Sequence, residues 1–281
     1  MNGNCNGAFS KPPGLKPLIQ VFHEAMSPVA DTIIVSPTFY LSLDDTRCRL
    51  GLEACQRAAE AGVRVLLVDA SPPDVHAALI ATGATVLLQT VKGRKGAALR
   101  EAIAAAVEML PADGIICYQE LEKVSMVALQ LNVADALRAA PAAGVCVARR
   151  DDALFRSSYP VEQYHSEHFA NLYLDALAKA VSFPSIDWTF GPLAFRAALA
   201  RHWLECSGEL WDAQIVPMVV AARWHGWGVI VHPVSFRTSL VMPPASSPFP
   251  PCVRTRRTSL FCVHPSFLTT PCIGLSRGFP V

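Results

Sequence analysis

The chain has 281 residues, of which 52% are hydrophobic, and its 24 basic and 23 acidic side chains leave a net charge of +1. This length suits one large α/β domain or two small ones, and the even charge balance argues against bulk electrostatic binding of nucleic acid. Nine scattered cysteines without a CxxC pair argue against a disulfide framework or a zinc site. We expect a cytoplasmic protein without an integral membrane segment, since the sequence has no apolar leader and no unbroken apolar span.

Apolar strands alternate with helices over the first half of the chain, after a polar lead-in at 1–29. Such alternation favours a mostly parallel sheet covered by helices on both faces. In chain order the pattern predicts a strand at 32–39, a helix at 46–62, a strand at 63–70, a helix at 72–83, a strand at 84–90, a helix at 95–110, a strand at 113–119, a helix at 124–140 and a strand at 143–150.

The second half is less regular. A long helix is predicted at 158–181, and its apolar residues from 169 to 181 are expected to face the core. A Gly-Pro turn within 187–205 leads into another helix, a helix at 210–226 contains Pro217, and a last strand covers 227–236. The segment 241–281 is proline-rich and lacks periodicity, so it is predicted to be a disordered tail.

Polar side chains follow four of the predicted strands at their carboxyl ends. These are Pro37 and Thr38 after the first strand, Asp69 after the second, the basic loop 92–95 after the third, and Glu120 with Glu122 after the fourth. Because the carboxyl ends of parallel strands meet at one edge, where ligands of open α/β sheets bind, this series predicts a binding site.

The residue types in this series suit a nucleotide diphosphate and a divalent ion. Lys92, Arg94 and Lys95 can offset phosphate charge, and their loop leads into a helix N-terminus that favours anions. In extended backbone Glu120 and Glu122 point to the same side, where Mg²⁺ or Mn²⁺ would remove their repulsion. The alternatives stay open: the glutamates can solvate a strand end, and the basic loop can be a solvated turn. Neither a GxGxxG nor a P-loop motif is present.

The ordered series of segments resembles the family-2-type glycosyltransferases of the GT-A, or nucleotide-diphospho-sugar transferase, fold. The resemblance covers about residues 30–238. It depends on VSPTF, VLLVDASPPD, VKGRKGAALREAI, IICYQELEK, DWTFGPLAFR and the closing LWDAQIVPMVVAARWHGWGVIVHPVSF. In that family an Asp-x-Asp pair stands where this chain has Glu120-Leu121-Glu122, and Ala70 replaces an aspartate of the second segment.

The resemblance implies one GT-A-like domain at 30–240 that moves a sugar from a nucleotide-diphosphate donor to a hydroxyl acceptor of unknown identity, with the help of Mn²⁺ or Mg²⁺. The implied roles are nucleoside binding for Pro37, Thr38 and Asp69, diphosphate binding for Lys92, Lys95 and Arg100, metal binding for Glu120 and Glu122, and acceptor deprotonation for Asp212.

Two other functions remain open from the sequence. One is a nucleotidyltransferase of related fold, which would need a glycine-rich turn after the first strand, where this chain has Ser36-Pro37-Thr38. The other is a catalytically inactive protein of the same fold that binds a partner, for which we would expect weak nucleotide binding and no metal dependence.

Overall fold

The computed structural model describes residues 30–238; the lead-in and the predicted disordered tail lie outside the described residues. Seven strands of this part form one sheet in the order β3-β2-β1-β4-β6-β5-β7, and every pairing is parallel except those of β6. The strands are β1 Thr32–Thr38, β2 Arg64–Asp69, β3 Thr85–Leu88, β4 Ile115–Tyr118, β5 Ala143–Arg150, β6 Leu193–Arg196 and β7 Gly228–Val234.

Aspartate side chains cap two of the helices, and a glycine ends a third. Asp45 caps α1 by accepting from the Arg47 N–H at 2.8 Å, Asp151 caps α5, and Gly226 ends α8 at a φ of 70°. The helices are α1 Thr46–Glu60, α2 Pro73–Ala81, α3 Lys95–Met109, α4 Met126–Arg138, α5 Asp152–Ser158, α6 Val161–Ala180, α7 Ala200–Leu204 after a short 3-10 turn, and α8 Asp212–His225.

Two apolar layers sandwich the sheet. Ile33 and Val35 of β1 face a layer built with α3, α7 and α8, whereas Ile34 faces a layer built with α1, α2 and α4. This alternation follows from the twofold side-chain period of a strand, and it explains why the central strands contain runs of consecutive apolar residues. The prediction of a mostly parallel sheet with helices on both faces is confirmed.

Strand β6 was not predicted, because its residues were assigned to a turn leading into a helix. It runs antiparallel between β4 and β5, with Ala194 paired to Cys117 on one side and to Cys146 on the other. Four residues are too few to show a period. The buried Phe195 ring stacks on Trp203 at 3.9 Å, which ties β6 to α7.

Helix α6 exposes residues that were expected to face the core. Phe169 is 64% exposed, and Leu172 and Tyr173 are each 53% exposed, while Ala178 is buried. The prediction was wrong for these residues because apolar side chains occur on several sides of this helix and only one side meets the sheet. Although α6 has 20 residues, neither it nor another helix between residues 30 and 238 is long and apolar enough to cross a membrane.

Four cysteines pack as small apolar side chains in one of the two apolar layers. Cys48, Cys55, Cys117 and Cys146 are buried there without disulfides, and burial raises the pKa of the Cys117 thiol to about 12. Such a thiol stays protonated and unreactive.

We expect Phe195→Ala to lower the free energy of unfolding by about 3–5 kcal/mol, because it leaves a cavity between β6 and α7. Leu88→Ala is the matched control at the exposed edge strand β3, where Leu88 is 69% exposed; its effect should stay within about 0.5 kcal/mol. Urea unfolding of both variants measures the difference, and equal small effects would contradict the central position of β6.

Candidate functional site

The pairing of β1 brings three of the predicted site segments to one edge of the sheet. Thr38, the last residue of β1, lies beside Asp69, the last residue of β2. On the other side, Val35 pairs with Tyr118, so the segment after Tyr118 leaves β4 at the same edge. The sequence prediction that these strand ends share an edge is therefore confirmed.

Asp69 is fully buried and surrounded by donors from the protein. Its Oδ1 accepts hydrogen bonds from Thr38 Oγ1 at 2.8 Å and from Ser71 Oγ at 2.6 Å, and its Oδ2 lies 3.0 Å from His76 Nδ1. The Tyr40 N–H donates in turn to Ser71 Oγ at 2.9 Å. Asp69 thus joins the loops after β1 and β2. Its part in nucleoside binding stays a prediction, and it would act by holding these loops in place.

The two lysines of the basic loop have different surroundings, since Lys92 faces solvent and Lys95 reaches the site. Lys92 is exposed in a turn, next to Gly93, whose φ of 77° favours glycine. Lys95 begins α3 and turns toward Glu120, with 3.6 Å between Lys95 Nζ and Glu120 Oε1. The structure therefore brings Lys95 to the edge and leaves Lys92 in the solvated position that the sequence also allowed.

The N-terminus of α3 already holds an anionic group of the protein. Gly96 N–H donates to the Glu209 backbone carbonyl at 3.3 Å, and Ala97 N–H donates to the Glu209 carboxylate at 3.2 Å. An ideal Cβ at Gly96 would lie 2.0 Å from the Gly208 carbonyl oxygen, so this contact requires glycine. The backbone N–H groups of Gly96 and Ala97, which were expected to meet phosphate, are thus used within the protein.

Arg100 belongs to the same contact. Its guanidinium donates to the carbonyls of Cys206 and Gly208 at 2.8 and 2.7 Å and to the Glu209 carboxylate at 2.6 Å. Burial raises the pKa of Glu209, but Arg100 and the other donors outweigh it and leave this pKa below its usual value. Arg100 therefore holds the segment before α8 in place, and the expectation that it faces a diphosphate does not fit its hydrogen bonds.

Glu120 lies between two ammonium groups. Lys123 Nζ donates to Glu120 Oε2 and to the Phe190 carbonyl at 2.9 Å, while Lys95 lies near the other carboxylate oxygen. Burial raises the pKa of Glu120, but Lys123 and Lys95 outweigh it and lower the pKa to about 2. Glu120 is thus ionised and counterbalanced without a metal.

Two aromatic rings lie near Lys95, and a glycine lies against Glu120. Lys95 Nζ lies 5.9 Å from the ring centroid of Tyr118 and 5.6 Å from that of Trp211, within the range of cation–π attraction. Gly191, at a φ of 97°, brings its backbone so close that a Cβ there would lie 3.0 Å from Glu120 Oε2. The ammonium of Lys95 is therefore held by rings and a carboxylate at a partly open position.

Glu122 does not converge with Glu120. The Lys123 N–H donates to the Glu120 carbonyl at 3.1 Å, which makes a turn, so the expectation of extended backbone at this point was wrong. Leu121, which stands between the two glutamates in the chain, is buried, and Glu122 pairs with Arg47 of α1. Each glutamate thus has a cationic partner of its own.

The cationic partners of Glu120 and Glu122 determine whether a divalent ion can bind to these two carboxylates. The part of the chain from residue 30 to 238 contains no group of three or more His, Cys, Asp or Glu side chains placed to hold a metal. An ion at Glu120 would adjoin the ammoniums of Lys95 and Lys123, and Glu122 would have to leave Arg47. The residues present do not fit a metal, and the metal-binding role of the two glutamates stays a prediction.

Asp212 lies at the start of α8, next to Trp211. Its Oδ1 accepts backbone N–H groups of Glu209, Leu210 and Ala213 at 3.1, 2.7 and 3.0 Å. Two of these donors precede the helix, so the carboxylate fixes the turn that leads into α8. Since Trp211 faces Lys95, the aspartate is near the strand-end site, and its role as catalytic base stays a prediction.

Sequence reasoning missed the role of Lys123. It also missed the contacts of Glu209 with Ala97 and Arg100, which we call the Glu209 clamp. Lys123 follows Glu120 at i+3, a spacing that can form an ion pair when the chain turns, so a turn prediction at 120–123 would have found it. Glu209 meets Arg100 across 109 residues, and no local pattern signals such a contact.

No protein-family model matches the chain, and no curated protein matches it. Solved structures do share its fold. A crystal structure of Mycobacterium tuberculosis glucosyl-3-phosphoglycerate synthase matches over 77% of both chains at 15% identity, with a TM-score of 0.53. A structure of that enzyme with Mn²⁺, UDP and phosphoglyceric acid matches over 77% of this chain and 74% of its own, at 15% identity and a TM-score of 0.51. Another, with Mg²⁺ and UDP, matches over 77% of this chain and 75% of its own, at the same identity and TM-score. The likeness shows that the chain has the GT-A fold.

The pKa of Glu120 leads to a pH prediction. A carboxylate whose pKa falls from 4.5 to about 2 on folding stabilises the protein above pH 4.5, and the stabilisation is lost as the pH falls toward 2. We expect Glu120→Gln to lower the urea midpoint at pH 6, and we expect the gap from the parent to shrink progressively below pH 4.5. Glu53→Gln, which removes an exposed pair with Arg57, is the control with little effect at either pH. A gap that stays constant down to pH 3 would contradict the ion-paired state.

Proposed function

We propose that the chain binds a nucleotide-diphosphate sugar at the carboxyl edge of its sheet and transfers the sugar to a hydroxyl acceptor. The observation that carries the proposal is the pair of ammonium groups of Lys95 and Lys123 at that edge of a GT-A sheet. Both side chains are partly exposed, by 39% and 20%, so a ligand can reach them. The domain that acts is the segment 30–240.

The proposed binding mode follows the order of the strands. The nucleoside lies over the ends of β1 and β2, against Pro37 and Thr38, in loops that Asp69 holds in place. The diphosphate then extends toward Lys95 and Lys123 beside β4. This order supports the proposal because it places the negative charge of the ligand at positive side chains and its uncharged part at neutral ones.

Asp212 is the proposed general base for the acceptor hydroxyl. It lies beside Trp211, which borders the Lys95 side of the edge. One carboxylate oxygen, Oδ1, serves the backbone at the start of α8, and the deprotonation would have to be done by the other. Whether the reaction inverts or retains the configuration of the sugar is not part of the proposal.

A divalent ion was predicted as cofactor. The synthase of similar fold has been crystallised with Mn²⁺ or Mg²⁺ and UDP. In this chain the surroundings of Glu120 and Glu122 give that prediction no support, and no step of the proposed reaction passes through a metal.

Calorimetric titration of the full chain with UDP, GDP, CDP and ADP tests the proposal. We expect saturable, equimolar binding of at least one of them, and release of that nucleotide when the matching nucleotide sugar is supplied with a hydroxyl acceptor or water. Failure of all four to bind would refute the proposed function. Equimolar binding without release of nucleotide would instead favour the catalytically inactive alternative.

Asp212→Asn separates catalysis from the hydrogen bonds that fix the segment before α8. The amide oxygen of asparagine can accept the backbone N–H groups that Asp212 Oδ1 accepts, so we expect the urea midpoint and the nucleotide affinity to stay close to those of the parent. Loss of a general base typically lowers the rate by about 10²–10⁴-fold, and we expect a decrease of that size in sugar transfer or donor hydrolysis. A parent-like rate in a folded variant would exclude Asp212 as the base.

A further inference from the structure

We propose that the ammonium groups of Lys95 and Lys123 take the place of a divalent ion in this protein, so that it binds the diphosphate of its nucleotide without a metal. The inference rests on the proposed function, and it concerns the way in which the charge of the diphosphate is balanced.

The two lysines are arranged around one carboxylate. Lys123 donates to Glu120 Oε2 and to the Phe190 carbonyl at 2.9 Å, which leaves one of its three N–H groups for a ligand. Lys95 lies 3.6 Å from Glu120 Oε1. Glu120 therefore positions two ammonium groups on its two sides and does not offer its oxygens to solvent as an open pair.

The charge of this group is positive. Glu120, Lys95 and Lys123 together carry +1, and Glu122 adds no net negative charge because Arg47 balances it. A site of this sign attracts the anionic diphosphate and disfavours Mn²⁺ or Mg²⁺ by like-charge repulsion. The charge that a metal would supply to a diphosphate is already present in the protein.

The surroundings hold the lysines in place before a ligand arrives. The rings of Tyr118 and Trp211 lie within 6 Å of Lys95 Nζ, and Phe190 contributes its carbonyl to Lys123 and its ring at 5.2 Å. Gly191 lies against the Glu120 carboxylate and covers one side of it. Such preorganisation lowers the entropy that ordering two flexible side chains would otherwise cost on binding.

The N-terminus of α3 gives a further reason for this arrangement. Glu209 already accepts from Ala97 N–H and pairs with Arg94 and Arg100. The backbone N–H groups of Gly96 and Ala97 are therefore not free to bind phosphate, and side-chain cations such as Lys95 and Lys123 have to balance its charge.

The test compares nucleotide binding by the full chain in EDTA and in Mn²⁺. Calorimetry with UDP, GDP, CDP and ADP, each in both buffers, should give affinities for the nucleotide that binds within about threefold of each other. Lys95→Met and Lys123→Met should each weaken binding of that diphosphate about tenfold or more in EDTA, as expected for lost charged hydrogen bonds, while affinity for the nucleoside without phosphate changes little. Lys179→Met, at the exposed end of α6, is the control with parent-like affinity.

Glu120→Gln distinguishes the two explanations most sharply. If lysines balance the diphosphate, the variant is more positive by one charge while its amide oxygen can still accept from Lys123, so it should bind the nucleotide in EDTA more tightly than the parent. If Glu120 holds a metal, the variant should lose binding that the parent shows in Mn²⁺. Lys123→Met alone leaves the Glu120 carboxylate with one cationic partner fewer. The double variant Glu120→Gln with Lys123→Met avoids this, because residue 120 is then uncharged, and it measures the effect of losing the Lys123 ammonium alone. Circular dichroism checks that the double variant is folded.

The outcomes separate this inference from the proposed function. Binding that strengthens tenfold or more with Mn²⁺, or that survives both lysine substitutions unchanged, would overturn the inference while leaving the proposed function intact. Absence of binding by all four nucleotides in both buffers would overturn the proposed function and the inference with it.

Discussion

Strand β1 is the constraint on which the arrangement of the site depends. It pairs in parallel with β2 on one side and with β4 on the other, and its interior residues are buried on both faces. A strand in this position cannot carry charged side chains along its length, since they would lose water without gaining partners. Charged groups are therefore confined to the strand ends, and this is why Asp69 and Glu120 lie at one edge.

A second constraint is the Glu209 clamp, which joins α3 to the segment before α8. Gly96 and Gly208 allow the two backbones to touch, and Glu209 then takes the N–H groups and guanidiniums nearby. A carboxylate at a helix N-terminus is favourable, but it also repels any phosphate that approaches the same helix end. The proposed diphosphate would therefore meet positive side chains at Lys95 and Lys123, which lie beside Glu120 and outside this clamp.

The sequence predicted the fold better than it predicted the partners within the site. Alternation of apolar strands and helices was enough for the sheet, because burial on both faces leaves a direct pattern in the residue types. Strand β6 was missed because four residues carry no period. In the site, the shared edge of Thr38, Asp69 and Glu120 followed from topology, whereas the pairing of Arg100 with Glu209 spans 109 residues and depends on tertiary packing.

The Glu120-Leu121-Glu122 segment differs from an extended pair of acidic residues in its backbone. Leu121 is buried, with 1% of its surface exposed, and it lies in a turn in which the neighbouring carboxylates meet different cations. Glu120 reaches Lys123, and Glu122 reaches Arg47. Two carboxylates that each meet a cation no longer repel one another, so the electrostatic reason for a shared divalent ion is absent. The spacing of two acidic residues alone therefore does not predict a metal site, because the backbone between them decides which way their side chains point.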